Sequence, residues 1–83
     1  MRIYMQTPPT AEGPPRFCQL MLQQDLLEGW TLIQEAGAPN GARRIKRVHY
    51  PSFDAAEAAL VRARDAQIAR GYRVMFVEGV GRQ

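Results

Sequence analysis

Residues 51–72 read PSFDAAEAALVRARDAQIARGY. Alanine stands at 55, 56, 58, 59, 63, 66 and 69, and alanine is the best helix former because it loses no side-chain entropy. Ser52 predicts an N-cap, and Asp54 with Glu57 gives a second capping frame with acidic groups near the positive end of the helix dipole. Phe53, Ala56, Leu60, Ala63 and Gln67 recur at three- and four-residue spacing and predict the inner stripe. Many of these are small, so the helix can approach a sheet closely. Arg70 suits the last turn, and Gly71 is the expected C′ residue.

Upstream the period changes from helix to strand. Arg2–Gln6 alternates around Ile3 and Met5. In Arg16–Gln24, Cys18, Leu20 and Leu22 form a wholly apolar set that predicts a core face. Asp25–Gly29 reads as a turn in which Gly29 frees the backbone ahead of Trp30. Trp30–Glu35 is the next strand, with Trp30 a core anchor rather than an exposed stacking platform. Ala36–Ala42 is a loop whose Pro39-Asn40-Gly41 signals a tight hairpin. Arg43–Tyr50 returns, and Pro51 ends its ladder. Downstream of the helix, Tyr72–Glu78 alternates Tyr72, Val74 and Phe76 against Met75 and Val77. The element order is therefore β-β-β-β-α-β: an α+β fold, with one helix packed on a small antiparallel sheet. Leu20, Leu22, Trp30, Leu32, Leu60, Tyr72 and Phe76 are expected in or near the core.

The chain has 83 residues, 46% hydrophobic and 23% charged. That composition predicts one globular domain over 1–83, with its core at 16–78, a proline-rich loop at 7–15 and a tail at 79–83. Cys18 and His49 are the single cysteine and histidine, so no internal disulfide and no metal cluster is expected. Cys18 reads as a small buried hydrophobe. There is no apolar run of membrane-spanning length, and residues 1–15 do not read as a secretory leader. A reduced, cytoplasmic location is the expectation. No nucleophile–base pair, paired carboxylates or phosphate loop is visible, so neither enzyme activity nor a cofactor or small-molecule substrate is expected.

Charge is uneven. Residues 1–42 carry two basic and four acidic residues, and residues 43–83 nine basic and four acidic. Arg43, Arg44, Lys46 and Arg47 fall within five positions. Such a cluster is the electrostatic footprint of a polyanion partner, or else a strand edge guarded by charge. The alternation of Arg43–Tyr50 leaves neither face clean, so period alone does not say which of these cations meet solvent.

Four features together resemble the WGR domain, over about Arg16 to Tyr72. They are Gly29-Trp30-Thr31-Leu32 leading into Glu35-Ala36-Gly37, the basic returning strand Arg44-Ile45-Lys46, the Tyr50-Pro51-Ser52 entry to the helix, and the Arg70-Gly71-Tyr72 exit. Their order and spacing are similar to the short stand-alone bacterial members. The resemblance implies a small antiparallel sheet with a helix and a non-enzymatic module. In poly(ADP-ribose) polymerases that module binds DNA near strand breaks. The signature Trp-Gly-Arg is here Ala36-Gly37-Ala38, so the aromatic face and the arginine contact are both lost. Gly37 is kept, as the turn's backbone freedom requires. Nucleic-acid binding is then expected to rest on Arg43, Arg44, Lys46 and Arg47 and to contact phosphate. The alternative is a protein-interaction module that has lost its DNA contacts, using the Thr7–Pro15 loop or the Tyr72–Glu78 strand, if that strand is an edge.

Overall fold

The computed structural model describes residues 1–11 and 13–79. The elements run β1 (Arg2–Gln6), β2 (Phe17–Gln24), β3 (Trp30–Gly37), β4 (Arg43–Tyr50), α1 (Phe53–Ala69) and β5 (Arg73–Glu78). The sheet order is β4-β3-β2-β1-β5, and every pair of neighbours is antiparallel. The fold is α+β in the expected element order. The helix carries the chain from one edge of the sheet to the other, so the last strand pairs with the first. Of the expected tail from Gly79, residues 80–83 lie outside the described residues.

Alternation gives the sheet two unlike faces. Ile3 pairs with Leu20 and Met5 with Cys18, while Leu22 pairs with Leu32. These side chains and Ala56, Ala59 and Leu60 of α1 form the buried cluster. Burying one leucine or methionine side chain contributes about 1.5–3 kcal/mol. The alanines let the helix sit close on the sheet. Trp30, Phe53, Ala63 and Tyr72 pack at the margin of this cluster, with Trp30 edge-on to Phe53 at a centroid distance of 5.0 Å. The helix packs chiefly on β2, β3 and β4.

The ends of α1 match their sequence signals. Ser52 Oγ accepts the Ala55 N–H at 3.1 Å. Gly71 has φ +104°, and its N–H reaches the Ile68 carbonyl while the Tyr72 N–H reaches that of Gln67. This is the Schellman closure, which satisfies the last carbonyls of the helix.

Phe76 is a correction. It is 43% exposed and lies on the face away from the helix, stacked on Tyr4 at 5.3 Å. The cause is a β-bulge. Tyr4 pairs with Phe76 but Met5 pairs with Val74, so Met75 is an extra residue. One inserted residue reverses the alternation, and Tyr72 and Val74 therefore do not share a face with Phe76. The whole of β5 is exposed.

Two turns also differ from expectation. Positive φ falls on Glu28, at 59°, and not on Gly29. Gly29 is required for space instead, because a Cβ there would stand 2.4 Å from the Tyr50 carbonyl oxygen. At the other hairpin β3 runs on through Ala36 and Gly37, so only 38–42 form the loop. Gly37 has no positive φ. A Cβ on it would meet the Ala42 carbonyl oxygen at 2.9 Å, so close approach rather than turn conformation accounts for it.

Candidate functional site

The basic cluster lies on β4, an edge strand, and strand geometry divides it. Arg44 pairs with Ala36 and Lys46 with Gln34, on the helix side of the sheet. Arg43 pairs with Gly37 and Arg47 with Ile33, on the open side. The four cations adjacent in sequence therefore do not form one patch. Arg43 is also engaged, with Nη1 3.0 Å from Glu35 Oε2. Glu35 is held in turn by Gln19, whose Nε2 donates to Oε1 at 3.3 Å.

Arg44 and Lys46 join two cations that the sequence reading did not assign to the site. A groove of about 340 Å³ opens between β4, the end of α1 and the start of β2. Arg16, Arg44, Lys46 and Arg70 line it, together with Tyr72, Gln34 and Gln67. Among the described residues, no carboxylate lines this groove. None of the four cations has a carboxylate partner within 4.0 Å among the described residues. Like charges gathered without counter-charge repel one another, and an anion between them relieves that repulsion. Three arginine forks and one ammonium suit phosphate oxygens, while Tyr72 and the two glutamines add neutral polar groups. The Schellman closure matters here too, because the carbonyls it satisfies do not turn free acceptors toward the groove.

The sequence held signals for both missed cations. Arg16 has the parity of Cys18, Leu20 and Leu22, so it continues their face. Arg70 lies three residues beyond Gln67 and extends the inner stripe of the helix. Its charge also reaches the core: burial pushes the Cys18 thiol up, and the nearby Arg70 guanidinium partly offsets that shift.

The Ala36-Gly37-Ala38 stretch borders this site. Ala36 lies in the groove wall. A shallower depression lined by Gly37, Ala38, Gly41 and Ala42 shares Arg16, Ala36 and Arg44 with it. No family model, curated protein or solved structure matches the chain. The groove is therefore read on its own chemistry.

His49 belongs to a different arrangement. Its Nδ1 lies 2.7 Å from Asp25 Oδ2, which also accepts the Thr31 hydroxyl at 2.8 Å. Asp25 Oδ1 accepts the N–H groups of Leu27 and Gly29 at 3.0 and 3.1 Å. Desolvation pushes the Asp25 carboxyl up, but the bonds from His49, Thr31, Leu27 and Gly29 outweigh it and bring the pKa down to about 2. This network ties the β2–β3 turn to β4, and an acceptor saturated in this way is structural.

Proposed function

We propose that this chain is a small non-enzymatic module that binds nucleic acid through backbone phosphate, without reading sequence. One observation carries the reading: four cations surround one groove that no acidic side chain lines among the described residues. Phosphate contacts fix position without specifying bases, and the groove offers chemistry for phosphate. Arg47 and Arg43 on the opposite face are secondary in this reading. The resemblance to the WGR domain supports the same assignment, with alanines at 36 and 38 leaving the work to the cations beside them.

The test is fluorescence anisotropy with blunt, nicked and single-stranded oligonucleotides. The double variant Arg44→Glu/Lys46→Glu is compared with Arg62→Glu/Arg64→Glu, an equal charge change on helix residues that do not line the groove. Loss in the first variant alone supports the groove. Equal loss in both means that overall charge, and not this site, attracts the polyanion. No binding by the parent chain at low salt overturns the proposal.

A further inference from the structure

The two edges of the sheet are defended unequally. The β4 edge carries Arg43, Arg44, Lys46 and Arg47, so two copies meeting there repel. The β5 edge carries Val74, Met75, Phe76 and Val77, which are 40%, 55%, 43% and 59% exposed. The helix packs chiefly on β2, β3 and β4, every residue of β5 is exposed, and among the described residues no strand pairs with its outer edge. Apolar exposure beside unpaired backbone groups is the condition under which strands add to one another.

The ends of β5 indicate what adds. The strand reads Arg-Val-Met-Phe-Val-Glu, with opposite charges at its two ends. Arg73 pairs with Gln6 and Glu78 with Arg2, both on the open face. They stand five positions apart, and in a regular strand they would lie on opposite faces. The bulge at Met75 brings them to the same one. We infer that β5 is a homodimer edge, pairing antiparallel with β5 of a second copy about a two-fold axis at Phe76. Phe76 of one copy then lies beside Phe76 of the other, and Val77 beside Met75. With Met75 again the extra residue, Arg73 of each copy falls opposite Glu78 of the other, whereas parallel pairing would bring like charges together. Arg73 has no carboxylate partner within its own chain among the described residues. The stack of Phe17, Tyr4 and Phe76, with centroids 6.3 and 5.3 Å apart, continues across the axis as a row of six rings. Such a contact is isologous and closed, so it ends at two chains. A single strand pair lies at the small end of interface sizes, below about 1,200 Å², so the dimer is weak and depends on concentration.

Analytical ultracentrifugation of the full chain tests this. The mass should rise with concentration from 9.4 kDa toward twice that value. A chain that stays monomeric at millimolar concentration overturns the inference. Val77→Lys changes an exposed side chain, so it should keep the parent's circular dichroism and yield monomer; a persistent dimer overturns the inference. Arg73→Glu alone should weaken association roughly tenfold, because two cross-strand charge pairs become repulsive, and Glu78→Arg should do the same while also giving up the Arg2–Glu78 pair within each chain. An equimolar mixture of those two variants restores both attractions and should dimerise. If the parent dimerises and the mixture does not, the contact is elsewhere on the surface.

Discussion

Three glycines separate the space a residue needs from the conformation it needs. At Gly29 the backbone is ordinary, but an added Cβ would lie 2.4 Å from the Tyr50 carbonyl oxygen and 2.6 Å from His49 Cε1. The first obstacle is main chain and cannot rotate away. The second is the ring that meets Asp25 at 2.7 Å. Gly29→Ala must therefore push β4 outward and stretch the Asp25–His49 contact, an overpacking cost of about 1–3 kcal/mol. At Gly71 the space is open, and only φ +104° stands against a side chain, at about 1–2 kcal/mol. At Gly13 there is neither obstacle, and alanine there gains a few tenths to about 1 kcal/mol by restricting the unfolded chain. In a domain of this size 1 kcal/mol is about 4–8 °C in melting temperature. Thermal denaturation followed by circular dichroism should therefore place Gly29→Ala and Gly71→Ala well below the parent and Gly13→Ala at or above it. Only Gly29→Ala should also move the His49 ring resonances. If Gly29→Ala melts with Gly13→Ala, the close approach of the β2–β3 turn to β4 is wrong.

Further outcomes follow from the sites described. The Asp25 carboxyl titrates lower in the folded chain, at about 2 against 3.8, so its stabilisation is complete above about pH 4 and is lost as pH falls toward 2. Melting temperature should drop through that window, and Asp25→Asn should be less stable at pH 7 with a flatter acid limb. Cys18 is 1% exposed and its thiol is pushed up by burial, so it should react with a disulfide reagent only when denaturant opens the chain; fast labelling of the native protein would contradict its placement. Nucleic-acid affinity should fall with a log–log salt slope of up to roughly −3.6 if all four groove cations meet phosphate, and about half that in Arg44→Glu/Lys46→Glu. From 50 to 200 mM salt those slopes mean losses of roughly 150-fold and 12-fold, read by anisotropy.

Elements that rest on local chemistry were legible. Ser52 and Gly71 bounded the helix because capping depends on neighbouring residues alone. Cys18, Leu20 and Leu22 named the core face because β2 is regular. The face of Phe76 is not legible in sequence, because a bulge belongs to the pairing of two strands and Met75 looks like any strand residue. Gly29 and Gly37 look conformational in sequence but are steric in the fold, and the atoms that crowd them come from β4 and the returning chain. The basic cluster was visible as composition but not as a site. Its adjacency in sequence is separation in space, and two of the four groove cations arrive from the residue before β2 and the C-cap of α1.

The sheet order has a consequence for how the chain comes together. β2, β3 and β4 are successive antiparallel neighbours, so that meander can form from local contacts as the chain leaves the ribosome. β5 is made after the other four strands, yet its partner is β1, and nearly the whole sequence must be enclosed to join them. That closure carries the largest loop entropy in the molecule, and such long-range pairing is what slows folding. Until it occurs, β1 offers a free edge of its own. A nascent chain would thus hold an open seam at β1, filled from the same molecule only after α1 has been laid across the sheet.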